Sequence, residues 1–201
     1  MLSSQRMKLL PLDCKAFYRA DFLGVTAAER LFNEIVSGFD VTDKVIPMAD
    51  GSKQLGELGT FMFTDPDLTS FEAFPEVWGG RSAWTDSLAR VRDHIEAETG
   101  IRFQVARCVY YADGTESMGF HRDLPAYGNT DAIASLSLGV ERAFVFRRTS
   151  DLAQRFTLNL APGSLLLMGT GCQENYEHAL PPDKHCHQAR LNLTFRKYGW
   201  H

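Results

Sequence analysis

Beyond Gly100 the hydrophobic periodicity changes from helical to alternating, and that switch limits the fold more than any other feature of the chain. Phe103–Tyr111, Ile133–Leu138, Ala143–Arg147, Phe156–Leu160, Ser164–Met168 and Ala189–Arg196 each read as strands bounded by turn residues. Two helical stripes come before the switch. Thr26 to Ser37 carries Leu31, Phe32, Ile35 and Val36 on one side, with Thr26 and Glu29 placed as a capping box and Gly38 as the stop. Trp84 to Glu98 carries Leu88, Val91 and Ile95, with Gly100 as the stop. Between the stripes, residues 40–80 are punctuated by glycine and proline and read as short strands and long loops. Helices followed by a run of strands predict an α+β domain whose second half is an antiparallel sandwich or jelly roll.

With 201 residues, the chain is expected to form a single domain. The net charge of -4 gives no compositional support for gripping duplex DNA, which rewards a basic surface. A local basic patch is the remaining route to nucleic acid. The four cysteines form no CxxC pair, and the early apolar run Leu9-Leu10-Pro11-Leu12 is too short for a membrane span. A cytoplasmic protein with free thiols and no membrane contact is the expectation. Cys172, His178, His185, Cys186 and His187 lie close in sequence, but their spacing fits no common structural zinc pattern.

The chemistry is concentrated in three places. In Gly119-Phe120-His121-Arg122-Asp123 the imidazole and the carboxylate are two positions apart, so an extended chain aims both at one spot. That is two-thirds of the facial triad that holds non-haem Fe(II) and leaves coordination positions open. His178, in Tyr176-Glu177-His178-Ala179-Leu180-Pro181, offers a third ligand and reads equally well as a loop histidine. In the last strand Arg190, Asn192, Thr194 and Arg196 share one face, and Leu191, Leu193 and Phe195 share the other. A solvated edge strand gives that alternation, and so does a strand lining a polar pocket. The order of the three pieces favours the pocket. A bidentate oxo-acid on the open positions needs a cation for its far carboxylate, and arginine suits that role.

With these blocks in view, the sequence resembles the AlkB-like Fe(II)/2-oxoglutarate-dependent dioxygenase family from Phe103 to Lys197. Tyr111-Ala112-Asp113-Gly114, the His121 and His178 blocks, Pro162 to Met168 and the closing Arg190-Leu191-Asn192-Leu193-Thr194-Phe195-Arg196 carry the resemblance. It implies a double-stranded β-helix (jelly roll) core with N-terminal helices packed on it. It implies Fe(II) on His121, Asp123 and His178, with O2 and 2-oxoglutarate as cosubstrates. Arg190 would take the distal carboxylate of 2-oxoglutarate, Tyr111 and Asn192 would hydrogen-bond nearby, and Arg196 would sit by the carboxylate next to the keto group. Six residues of strand span roughly 20 Å, so both arginines reach one small acid only if the strand curls.

The same resemblance makes the chain one AlkB-like domain over 1–201, with helices and a substrate lid in 1–100 and the catalytic core in 101–201. The implied reaction is oxidative demethylation of N-alkylated nucleobases in DNA or RNA. The partner expected is a single-stranded or flipped-base nucleic acid, otherwise a protein or small molecule, and the protein is expected to be a monomer. An enzyme acting on a base stacks it on aromatic groups. Trp84 is the substrate candidate carried furthest, beside Trp78, Phe61, Phe63, Phe71 and Phe74, and Arg122 joins Arg81, Arg147 and Arg148 as a potential basic strip. Two positions depart from the family pattern: Val109 stands where repair members commonly carry Asn, and Leu124-Pro125-Ala126-Tyr127 stands where they carry acids. The same iron chemistry on a protein side chain or metabolite is therefore kept as an alternative, with a non-catalytic binding module third.

Overall fold

A computed structural model describes residues 6–48, 50–70, 73–74 and 79–200. The first half contains β1 (Lys8–Leu9), β2 (Ala16–Arg19), α1 (Val25–Gly38), β3 (Val45–Pro47), β4 (Lys53–Leu55), β5 (Gly59–Thr64), β6 (Gly80–Ala83) and α2 (Asp86–Thr99). The second half contains β7 (Val105–Tyr111), β8 (Met118–His121), β9 (Ile133–Gly139), β10 (Arg142–Arg148), β11 (Arg155–Leu160), β12 (Leu165–Met168), α3 (Cys172–Asn175), β13 (Tyr176–Leu180) and β14 (Arg190–Arg196). Eight strands form one sheet in the order β1-β2-β12-β9-β14-β7-β5-β6, and four form a second in the order β11-β10-β13-β8. The pairs are antiparallel except β5 with β6. Two sheets face to face, with helices on the outer side of the larger, realise the α+β jelly roll expected from the sequence.

The alternation of β14 decides this layering. The strand lies between β9 and β7, in the middle of the large sheet, so the solvated-edge reading falls away. Leu191, Leu193 and Phe195 are fully buried against the helices, in one core with Leu31, Ile35, Leu88 and Ile95. A second core, including Val109, Tyr111, Phe144, Phe146 and Leu166, fills the space between the sheets. Burial of each large aliphatic or aromatic side chain contributes about 1.5–3 kcal/mol.

Both helices form where the apolar stripes place them. α2 begins on the Thr85 side chain, which accepts a hydrogen bond from the Leu88 N–H at 3.2 Å, and ends at Gly100 with φ of 72°. Trp84 therefore precedes the helix instead of opening it. The capping box expected at Thr26 is not used. Gly24 is the N-cap of α1 and makes no side-chain cap, because Val25 is already helical and Thr26 sits inside the first turn. The buried face of Ala28, Leu31 and Ile35 holds this helix without a cap.

The first hundred residues supply strands as well as helices, including the short strands expected over residues 40–80. β1 and β2 extend one side of the large sheet, and β5 and β6 extend the other. Phe61 and Phe63 on β5 bury themselves among the core residues beneath α1 and α2, while Met62, between them, packs with Val105 in a separate apolar cluster. These two phenylalanines are core, not a platform for substrate. Phe71 and Trp78 lie outside the described residues.

One buried arginine joins the catalytic half together. Arg142, at the start of β10, donates to the carbonyls of Asp113 (3.1 Å), Gly114 (3.4 Å), Glu116 (3.1 Å) and Pro181 (2.8 Å). It ties the β7–β8 connection, which leads into the His121 strand, to Pro181, where the chain leaves the His178 strand. Arg142→Met should lower unfolding free energy by about 3 kcal/mol, since buried acceptors left without donors cost about 1–3 kcal/mol each. A shifted urea midpoint with unchanged slope is the expected readout.

Candidate active site

β8 and β13 are antiparallel neighbours, and their register sets His121 directly opposite His178. The ring centroids are 4.4 Å apart. Asp123 lies two residues past the end of β8 and returns to the same spot, with its Oδ2 3.5 Å from His178 Nε2. Ligand atoms of His121, Asp123 and His178 all lie within 4.8 Å of one another, and they are the one group of three or more metal-ligating side chains among the described residues. Cys172, His185, Cys186 and His187 do not assemble into a zinc site there. The Cys172 thiol faces Cys14 instead, at 2.9 Å.

Neighbouring groups fix each member. His121 Nδ1 lies 2.8 Å from the Gly119 carbonyl, an acceptor, so Nδ1 donates there and Nε2 is the nitrogen left to face a metal. Phe144 stacks on the His178 ring at 5.3 Å. The Asp123 N–H donates to Gln173 Oε1 at 2.9 Å, and Arg196 Nη2 donates to Asp123 Oδ1. Burial pushes His178 down to about 4, against the pull of Asp123. The His178–Asp123 contact is thus a neutral imidazole beside a carboxylate and not an ion pair. For Asp123, burial works to raise the pKa, and the charge and hydrogen bond of Arg196 foremost outweigh it, leaving the carboxyl below its ordinary range. Two imidazoles and an ionised carboxylate on one side of a cavity form the donor set of a facial site with open positions.

The other end of the cavity holds an unmatched cation. Arg190 is 2% exposed. Its Nη2 donates to Ser137 Oγ (3.0 Å) and Asn192 Oδ1 (2.9 Å), its guanidinium lies 5.4 Å from the centre of the Tyr111 ring, and its Nε has no partner. Burial lowers its pKa to about 10, with Tyr111 opposing the shift, so the group is charged at neutral pH. No carboxylate among the described residues pairs with it. A buried charge without a counterion is costly, and an anionic ligand relieves that cost. Tyr111, Arg190, Asn192 and Arg196 line one cavity together with the three histidine and aspartate donors. Arg190 and Arg196 stand at opposite ends of the strand, and Arg196 turns its guanidinium to Asp123.

The expected substrate residues fare differently. Trp84 lies on the far side of the sheet, stacked on Phe195 at 6.0 Å with its Nε1 donating to Asp65 at 2.7 Å, so it belongs to the core beneath α2. Arg122 is exposed and lines a second, outer cavity with His121, Asp123 and Leu124. Phe74 packs edge-on against Tyr127 and Tyr198. Arg147 pairs with Glu177 and Arg148 with Asp13, and Arg81 donates to the carbonyls of Ser70 and Phe74. These arginines are held by their neighbours and form no common strip. Arg107, Arg142 and Gln173 were not singled out by sequence reading. Arg107 had a signal, since it shares the β7 face of Val109 and Tyr111.

Folded His178 resists protonation down to about pH 4, whereas an unfolded histidine titrates near about 6.5. Between those values the unfolded chain binds a proton that the folded chain does not, so stability of the metal-free protein should fall as pH drops through that window, by on the order of 2–3 kcal/mol. The Asp123 contribution runs at lower pH, present above the unfolded carboxyl value and lost below it. Unfolding midpoints measured across the range should fall in the intact chain and stay flatter in His178→Asn.

The family profile described as 2OG-Fe(II) oxygenase superfamily matches residues 75–196. Human DNA oxidative demethylase ALKBH2 is 38% identical over 122 residues, covering 57% of this chain and 47% of that protein. Rat alpha-ketoglutarate-dependent dioxygenase alkB homolog 3 is 33% identical over 122 residues, 56% of this chain and 41% of its own length. The alignments thus span somewhat less than half the length of these curated relatives. A longer match, to Uncharacterized protein R406 of Acanthamoeba polyphaga mimivirus, is 31% identical over 84% of this chain and 88% of that one. Among solved structures, OsALKBH1 superposes with a TM-score of 0.64 at 18% identity, over 95% of this chain and 100% of that chain, which fixes the fold. With the profile covering more than half of the sequence and the donor set assembled inside it, the chain belongs to the 2OG-Fe(II) oxygenase superfamily and is AlkB-like within it.

Proposed function

We propose that the protein demethylates N-alkylated nucleobases of DNA or RNA by oxidation, using Fe(II), 2-oxoglutarate and O2. The observation that carries this reading is one cavity with two ends: His121, Asp123 and His178 at one, and the unpaired buried Arg190 at the other. The donor chemistry fits Fe(II), and the separated cation fits the far carboxylate of a dicarboxylic oxo-acid. Relatives named as oxidative demethylases support the direction of the chemistry. When bound, the iron and its oxo-acid supply an oxidation that converts a substrate C–H to C–OH, with 2-oxoglutarate leaving as succinate and carbon dioxide. On an N-methyl carbon the resulting hydroxymethyl group breaks down to formaldehyde and the free N–H.

The chain's own work is binding and orientation. Arg190 takes the distal carboxylate, Tyr111 and Asn192 line the path from it, and Arg196 holds Asp123 with its free oxygen toward the histidines. Phe144 and the neighbouring apolar side chains keep water from His178. Val109 faces the same cavity without a polar group, so the cosubstrate lacks one hydrogen bond there, worth about 0.5–1.5 kcal/mol.

Incubation with Fe(II), 2-oxoglutarate, ascorbate and single-stranded oligonucleotides bearing N-methylated bases should release formaldehyde, and His121→Ala should release none. Absence of formaldehyde across such a panel, with succinate formation intact, transfers the chemistry to a protein side chain or metabolite. Arg190→Met should raise the 2-oxoglutarate concentration needed for half-saturation by about 10- to 100-fold, the loss of a charge-assisted contact. Titrating 2-oxoglutarate against initial rate checks it.

A further inference from the structure

The outer cavity beside the metal-ligating residues has an unusual charge balance. Its volume is about 300 Å³, at the small end of ligand pockets and sufficient for one base. It shares His121, Asp123, Arg107 and Arg196 with the inner cavity but excludes Tyr111, Arg190 and Asn192, so it lies on the side from which a substrate approaches. Arg107, Arg122 and Arg196 line it, and Asp123 is the one carboxylate among its described lining residues. Asp123 is already engaged by Arg196 and placed as a metal ligand.

Arg107 carries the excess charge inward. On β7 it stands opposite Met62 of β5 and Thr194 of β14, one pleat beyond Val109, with its side chain on the cavity face. Its Nε is shut off from solvent without a hydrogen-bond partner, and among the described residues the Arg107 side chain makes no ion pair or hydrogen bond, the Thr194 hydroxyl donating only to its backbone carbonyl. The closest compensations are at a distance, from Tyr127 and Asp123, while Arg196 adds to the positive charge. A desolvated guanidinium with free donors favours a group that brings acceptor oxygens and repels one that brings a positive charge.

That rule divides N-methylated bases. Methylation at N1 of adenine or N3 of cytosine leaves an amidinium, so these bases are cations at neutral pH. Methylation at N1 of guanine or N3 of thymine leaves a neutral ring with a carbonyl oxygen next to the methylated nitrogen. We infer that Arg107 makes this site selective for neutral, carbonyl-bearing N-methyl bases over the cationic ones, with its guanidinium donating to the ring oxygen beside the methyl group. This rests on the reading of the site as a nucleobase demethylase. Leu124 and Ala126, which also line the cavity, act in the same direction by providing no counter-charge for a cationic base.

The test is a binding measurement with the protein carrying Fe(II) and 2-oxoglutarate under anaerobic conditions, followed by admission of O2. Fluorescence anisotropy would compare oligonucleotides identical except for one 1-methylguanine, 3-methylthymine, 1-methyladenine or 3-methylcytosine. The intact protein should hold the first two tighter by on the order of tenfold or more, the effect of a like-charge contact in a partly desolvated site. Arg107→Leu should abolish the difference and Arg107→Lys should keep most of it. Raising the pH until the amidinium bases deprotonate should narrow the preference in the intact protein. Affinities that fail to separate the two classes, or a separation that survives Arg107→Leu, overturns the inference. A binding preference lost in Arg107→Leu, with no formaldehyde from any of the four on admitting O2, upholds Arg107 and sinks the demethylase reading instead.

Discussion

The site depends on the contact between Asp123 and Arg196. Asp123 follows β8 in the small sheet and Arg196 ends β14 in the large one, so their ion pair joins the two layers at the mouth of the cavity. It keeps the carboxylate ionised in a place where burial alone favours the neutral acid. It also fixes one oxygen, leaving the other toward His178. Without Arg196, Asp123 is a largely buried carboxyl with no strong reason to remain charged, and a metal site needs that charge. The Gln173 side chain adds a second restraint by holding the backbone of the same residue.

The two cavity ends are built by the same device, strand parity. On β14 the polar residues Arg190, Asn192, Thr194 and Arg196 face inward, and Leu191, Leu193 and Phe195 lock the strand under the helices. A register slip of one residue would turn the arginines into the core and the leucines into the cavity. The apolar half of the strand therefore enforces the polar half, which is how two long cations are kept in a buried place.

Much of this was legible in the sequence because it follows from period and order. The strands after Gly100 and the inward face of β14 come from an alternation of two, and the structure keeps them; His121 and Asp123 do converge, but Asp123 does so from beyond the end of β8 and not as part of the strand. His178 could not be assigned from its own segment, because what sets it opposite His121 is pairing with β8 across more than fifty residues of chain. Trp84 was misplaced for a related reason. An exposed-looking aromatic before a helix gives no sign of which sheet face it will meet, and here Phe195 and Asp65 claim it. The Thr26 capping box failed on a shift of two residues at the helix start, from Thr26 to Gly24 as the N-cap. Arg107 was visible only in parity, since its meaning depends on the absence of a nearby partner, which is a property of three dimensions.

The central claim is that His121, Asp123 and His178 hold the metal while Arg190, at the far end of the same cavity, holds the cosubstrate. An anaerobic crystal structure with Mn(II) standing in for Fe(II), soaked with 2-oxoglutarate, tests it most directly. The account predicts a metal ion bound by the two imidazoles and one Asp123 oxygen, with the acid chelating it and its distal carboxylate on the Arg190 guanidinium. A metal bound elsewhere, or a distal carboxylate that leaves Arg190 unpaired, would contradict it.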